Sequence, residues 1–227
     1  MAATYRHILA IDTSTSQMNL ALKFGDDRFV KLSENVGTSH GQVLMRKVQD
    51  LLNSASAKSD QIDAIVVCIG PGSFTGLRIS LAAAKGMAEA LGIPVVGVSL
   101  FDIACHKLRE VSSDVCVVVP FKADESFVGL FSRGRVDPEQ VRSVRVEQFE
   151  QFVAGRSVTT IGFELPDHLN PMSDASVPWC LEFDASDILE IGMSRLEASD
   201  LDDLSSLEPL YIQKSQAEIR YEQRRKD

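Results

Sequence analysis

The sequence predicts an α/β protein built on a mixed sheet, and three observations carry that prediction. Apolar alternation near the N-terminus marks three consecutive short strands, an antiparallel meander. Apolar runs at 62–69 and 95–98 then alternate with helical segments, the mark of parallel crossover units. Between the first of these runs and an alanine-rich helix stands Gly70-Pro71-Gly72-Ser73-Phe74-Thr75-Gly76, a tight strand-to-helix joint.

The elements follow in order. His7–Ile11 reads as a strand ending in the hydroxyl-rich turn Asp12-Thr13-Ser14-Thr15. Met18–Phe24 and Phe29–Leu32 complete the meander around Gly25-Asp26-Asp27. Ser39 and Gln42 have capping-box spacing, and the helix they open sets Leu44, Val48, Leu51 and Leu52 on one face. Ile62–Ile69 is the next strand. The helix after the glycine loop runs to Leu91 and stops at Gly92-Ile93-Pro94. Val95–Val98 is a buried strand and Leu100–Leu108 a third helix. The order is β-β-β-α-β-α-β-α. A second region opens near Ser113, with strands at 115–120, 127–131, 141–146 and 158–162 and helices at 147–153 and 186–198. Leu210-Tyr211-Ile212 reads as a closing strand, and 166–178 as a loop bounded by prolines. No repeat of solenoid period is present.

At 44% apolar and 24% charged residues, the 227-residue chain has the composition of an ordinary globular protein with a sizeable core. A formal charge of −9 argues against a broad phosphate-tracking surface for nucleic acid. The basic tail 220–226 reads as a solvated terminus. Cys68, Cys105, Cys116 and Cys180 form no C-x-x-C pair, so neither a disulfide framework nor a zinc site is expected. No signal peptide or transmembrane stretch is evident, and a reduced, soluble, cytoplasmic protein is the expectation.

The glycine loop fails the tests for several known chemistries. A Walker loop needs Gly-Lys-Ser/Thr five residues after its first glycine, and none is present. Gly70, Gly72 and Gly76 approach a dinucleotide fingerprint, but the next strand ends Gly97-Val98-Ser99 without the acid that binds ribose. A nucleophile elbow would flank Ser73 with glycines, where Pro71 and Thr75 stand; Ser73 reads better as a helix cap. His40 has no second histidine within a turn, so no metal pair forms there. Phe74 fits either a partner anchor or a core plug. The helix behind the loop carries Ala82, Ala83, Ala84, Gly86, Ala88 and Ala90, small residues that permit close approach of a second helix.

Ile8–Thr15, His40 at the head of the first helix, and Gly70–Ile79, continued by Lys85-Gly86 and Ile93-Pro94-Val95, resemble the TsaB (YeaZ) family. Pro209–Ile212 resembles its C-terminal strand. The likeness is dense over residues 7 to about 105 and thin beyond. It implies an actin-like, Hsp70-like ATPase fold of the ribonuclease H-like kind: two related lobes of mixed sheet with helices, a first at 1–110 and a reduced second at 111–227. It implies a non-catalytic subunit that pairs with the transferase TsaD to make threonylcarbamoyladenosine at adenosine 37 of tRNAs reading codons that begin with A. A TsaE-like ATPase joins, and tRNA is met only through the complex. A homodimer is a further family form, and no membrane is involved.

The resemblance places the partner surface on His40, Leu44, Gly70, Gly72, Ser73, Phe74, Gly76, Arg78, Ala82 and Gly86. Asp12, Ser14 and Thr15 keep the look of a phosphate-facing turn. The chain has no Gly-Gly pair for an adenosine clamp, so no cofactor of its own is expected, and at most weak ATP or ADP binding at the partner interface. The sequence departs from the family at Phe121–Ser126, where an Asp-Ala-Arg stretch is common, and at Gln213, where Arg is common. Two other readings stay open: an active small-molecule kinase or ATPase of this fold, and a peptidase-like protein using Ser73.

Overall fold

β1 (His7–Asp12) is the centre from which the fold is built, because alternate side chains of this strand enter two different cores. Ile8 and Ala10 face one side, and Leu9 and Ile11 face the other, all at most 1% exposed. The computed structural model describes residues 5–25, 28–122, 124–132, 135–136, 140–155, 158–163 and 179–212.

The first sheet has the order β3-β2-β1-β4-β5, with β2 at Gln17–Phe24, β3 at Arg28–Asn35, β4 at Ala64–Gly70 and β5 at Val95–Ser99. β1, β2 and β3 are antiparallel; β1, β4 and β5 are parallel. The mixed sheet predicted from the meander and crossovers is therefore the one observed. One face is covered by α1 (His40–Ser54) and α2 (Phe74–Leu91), whose Leu44, Val48, Leu51, Leu81 and Ala84 pack on Leu9, Ile65 and Val67. The predicted apolar face of α1 is correct residue for residue. Its predicted capping box is not formed: Ser39 stands at the cap position, but its side chain makes no cap hydrogen bond. Among the described α-helices, boxes form at Ser99/Asp102, before α3 (Leu100–Lys107), and at Asp184/Asp187, before α5 (Ala185–Glu197).

The second sheet repeats the first. Its order is β11-β10-β6-β7-β8, where β6 is Val115–Lys122, β7 Glu125–Ser132, β8 Arg135–Val136, β10 Thr159–Gly162 and β11 Trp179–Cys180. Counted within its own half, this is again a third, second, first, fourth, fifth arrangement, with the same antiparallel and parallel pairs. β9 (Arg142–Arg145) adds to β7, and α4 (Val146–Val153) covers the outer face. The architecture is thus a two-lobed α/β fold with a mixed sheet in each lobe, as expected.

α3 and α5 each follow the fifth strand of a lobe, and both lie in the core shared between the sheets. There Val115, Val117, Phe127 and Phe131 of the second sheet meet Ile103 and Ala104 of α3, Ile188 and Leu189 of α5, and Ala10 and Val66 of the first sheet. Gly192 brings α5 so near β4 that an added Cβ would lie 2.3 Å from a Val66 methyl. The expected boundary at 110 falls between the sheets in sequence, while α5 and the segment 200–212 pack back on the first sheet. The strand expected at 210–212 is not formed. Leu210 N–H donates to the Ile69 carbonyl at 2.7 Å in an otherwise irregular segment, so one bond replaces a ladder. The loop expected at 166–178 and Gln213 lie outside the described residues.

The β5 edge is closed by side chains. Asp202 accepts the Gly97 N–H at 2.7 Å, and Arg195 donates to the Gly97 carbonyl at 2.6 Å while bridging to Asp200 and Asp202. Those two carboxylates hold the Arg195 guanidinium well above its ordinary pKa, against the opposing effect of burial. An edge strand satisfied in this way offers no template for a foreign strand.

Lys31 of β3 pairs with Asp184, the cap of α5. Partial burial pushes the Asp184 carboxyl up, but hydrogen bonds from Lys31 and Ser186 outweigh it and hold the group below the ordinary carboxylate value of 3.8. A depressed carboxylate stabilises the fold above its unfolded pKa and loses that contribution as pH falls through the folded value. Asp184→Asn is therefore expected to unfold more readily than wild type near pH 7, with the difference shrinking as pH falls below the ordinary carboxylate value of 3.8. Denaturant melts across that range check this; a difference that persists undiminished at the acid end would refute it.

No described helix is long and apolar enough to cross a membrane. Cys68, Cys105 and Cys116 are not in disulfides, and burial pushes the Cys116 thiol up to about 12.

Candidate functional site

The β1–β2 turn and the glycine loop interlock. Asp12 is fully buried; its two oxygens accept from Ser14 N–H at 2.8 Å and Asn19 Nδ2 at 3.0 Å. Asn19 in turn accepts from Ser33 Oγ at 2.7 Å. The Ser14 carbonyl accepts from Ser73 N–H at 2.7 Å, and Thr13 Oγ1 donates to the Gly76 carbonyl at 2.7 Å. This contact is backbone on backbone, which is why glycines stand there. A Cβ on Gly72 would lie 2.3 Å from the Ser14 carbonyl oxygen, and one on Gly76 would lie 2.0 Å from that of Thr13. Gly70 serves differently: its φ of +96° is a conformation side chains disfavour.

Ser73 is the cap of α2, its Oγ accepting the Gly76 N–H at 3.2 Å. His40 is 3% exposed, and its Nε2 faces the Thr15 carbonyl oxygen at 3.0 Å. A carbonyl only accepts, so that nitrogen carries the proton. The turn is thus bonded to the first residue of α1 and to the start of α2. The Cys68 thiol beneath it is pushed up by burial and by the charge of Asp12.

Of the residues expected at the site, Asp12, Ser14, Thr15, His40, Gly70, Gly72, Ser73 and Gly76 come together here, most of them buried. Leu44 is drawn away into the core beneath α1. Ser73, Arg78, Ala82 and Gly86 are exposed along α2, with Phe74 half-buried. Three contacts had no signal in the sequence. Gly41 of α1 lies against Ile79 of α2. Thr13 anchors the loop. Tyr211, distant in sequence, accepts from Arg78 Nε at 3.0 Å, with its ring 5.7 Å from that of Phe74.

Beside the turn opens a cavity of about 270 Å³ between the lobes. Thr15, Gln17, Asn19 and Ser33 line one wall, and Phe163, Leu181, Glu182 and Phe183 the other. Its described lining offers hydroxyls, amides, a carboxylate and two phenyl rings, with no basic side chain to meet a phosphate. The described residues contain no group of three or more His, Cys, Asp or Glu side chains able to hold a metal.

Interlocked turn and loop, duplicated sheets and a polar cleft define a two-lobed α/β protein, with the helix-bearing face beside the loop as the candidate surface. Residues 33–136 match the family model for TsaD, tRNA N6-adenosine threonylcarbamoyltransferase. The chain is 31% identical over 124 residues to the tRNA threonylcarbamoyladenosine biosynthesis protein TsaB of Bacillus subtilis, covering 55% of this chain and 54% of that one. It is 38% identical over 92 residues to TsaB of Escherichia coli, covering 40% and 39%. These alignments span about half or less of the curated relatives' lengths. The structure of YeaZ from Pseudomonas aeruginosa superposes with a TM-score of 0.71 at 25% identity, over 93% of this chain and all of that one. The chain is thus similar to TsaB proteins over about half of its length in sequence, and to YeaZ over nearly all of it in fold.

Proposed function

We propose that this chain is a non-catalytic supporting subunit in the making of threonylcarbamoyladenosine at adenosine 37 of tRNAs reading codons that begin with A. In this reading it pairs with a TsaD-type transferase through α1 and α2, a TsaE-type ATPase joins the assembly, and tRNA is met only there. Its setting is the cytoplasm. The observation that carries the reading is that the glycine loop spends its groups on the protein itself. Ser73 Oγ caps a helix and His40 Nε2 holds a carbonyl, so the residue types that could serve a hydrolase are occupied structurally. What the loop leaves on the surface is the exposed, small-residue side of α2 at Ala82 and Gly86, suited to close helix approach.

The same reading gives the chain no cofactor of its own. Asp12 is engaged through both oxygens, and the cleft lining lacks a basic side chain, so ATP or ADP is held weakly and only with the partner in place.

The test is reconstitution. A TsaD-type subunit, a TsaE-type ATPase, the carbamoyl-adenylate donor and tRNA are combined with and without this chain, and modified adenosine is measured by mass spectrometry of nucleosides. Modification is expected to depend on the chain and to survive Ser73→Ala. Full activity in its absence refutes the proposal.

A further inference from the structure

We infer that the segment Leu207–Tyr211, far from the glycine loop in sequence, builds half of a docking site that receives a carboxylate side chain of a protein partner, with Arg78 as its anchor. The inference rests on the partner reading above and adds to it the segment 207–211, which that reading leaves out, and the chemistry that Arg78 would recognise.

The segment is fastened beside α2. Leu207 is buried in the core under Ile69 and Val95, its carbonyl accepts from Lys85 Nζ at 3.1 Å, and Leu210 N–H donates to the Ile69 carbonyl. This delivers Tyr211 to the first turn of α2. There the Arg78 guanidinium lies 3.8 Å from the centre of the Phe74 ring and 5.8 Å from that of Tyr211, with Nε given to the Tyr211 hydroxyl. Two rings and one hydrogen bond fix a long side chain that would otherwise be free to rotate. The ordering entropy that binding usually costs is thereby met within the folded chain.

The fixed guanidinium has its other two nitrogens left over. Among the described residues no carboxylate pairs with Arg78, although the chain carries 32 acidic residues against 23 basic ones. Arg78 is exposed, and so are its apolar neighbours Leu210 (37%) and Tyr211 (43%). An exposed guanidinium held against two rings keeps a planar donor pair that can meet a carboxylate through two parallel hydrogen bonds. Arginine and tyrosine are among the residues that dominate binding energy at protein interfaces. Charge complementarity therefore selects the occupant: an Asp or Glu side chain on the partner, flanked by apolar contacts.

The test measures binding of the full chain to a purified TsaD-type subunit by calorimetry at low and high salt, about 50 and 500 mM NaCl. Arg78→Ala is expected to weaken binding about tenfold or more and to remove most of the salt dependence. Arg78→Lys loses nearly as much, because an ammonium cannot present the planar pair. Tyr211→Ala weakens binding severalfold while leaving the salt dependence in place, as expected for a positioning residue. Arg78→Ala and Tyr211→Ala binding as wild type, with both proteins folded by circular dichroism, overturn the inference and leave the partner reading intact. Wild type that binds no TsaD-type subunit refutes the partner reading, and the site is then decided by sedimentation of the same variants. A salt-sensitive wild-type dimer lost in Arg78→Ala assigns the site to a second copy and overturns the hetero-partner; a monomer throughout overturns the site.

Discussion

Gly76→Ala is expected to cost about 3 kcal/mol of folding stability or more, an unusually large effect for adding one methyl group. The added carbon would sit 2.0 Å from the Thr13 carbonyl oxygen and 3.2 Å from the carbon behind it. Neither side can yield cheaply. Thr13 follows the central strand of the first sheet, and Gly76 lies in the capped first turn of an 18-residue helix. Gly72→Ala meets the Ser14 carbonyl at 2.3 Å and should behave alike. Gly86→Ala is the control: its Cβ would touch nothing within 4 Å, and replacing a mid-helix glycine should stabilise by up to about 1 kcal/mol. Urea denaturation of the three variants measures this. A wild-type midpoint for Gly76→Ala would show that the turn and the loop are not in contact as described.

Asp12→Ala should destabilise by a similar amount, about 3 kcal/mol, with no nucleotide present. Removing the carboxylate leaves the Ser14 N–H and the Asn19 amide as buried donors, and an orphaned buried group costs about 1–3 kcal/mol. Asn19 then also loses the restraint that aims its oxygen at Ser33. Asp12→Asn keeps one acceptor and should fall between the two. The measurement separates two roles. If Asp12 served chiefly to face a bound phosphate, its removal would leave the stability of the free protein unchanged and alter only nucleotide binding.

The first lobe was legible because its elements obey simple periods. Strands with both faces buried read as apolar runs, and α1 announced its core face through Leu44, Val48, Leu51 and Leu52. The glycine loop was legible as a joint but not as a lock, since the atoms that demand glycine at 72 and 76 belong to Ser14 and Thr13, in a turn far earlier in the sequence. The repeat of the sheet was hidden for a related reason. Hydrogen-bonded order is a property of the backbone, and the second lobe keeps it with β8 and β11 reduced to two residues each, too short for any period to register. Ser39 misled in the opposite direction: the right residues at the right spacing, but a backbone at φ −89°, ψ 10° that does not aim the hydroxyl at the helix. Arg78 was marked for the partner surface by the family resemblance alone. Its partner Tyr211 was not, because an irregular segment held by a few long-range bonds has no pattern to read.

The place of α5 bears on how the chain is made. The face of the first sheet opposite α1 and α2 is closed partly by α3 and partly by α5, and α5 lies beyond the whole second sheet in sequence. A ribosome adding about 5–20 residues per second therefore releases β1 to β5 several seconds before the helix that seals them. During that interval Ala10, Val66 and the β5 edge are without Gly192, Asp202 and Arg195. Until α5 has been made, the nascent first lobe carries this apolar face incompletely covered.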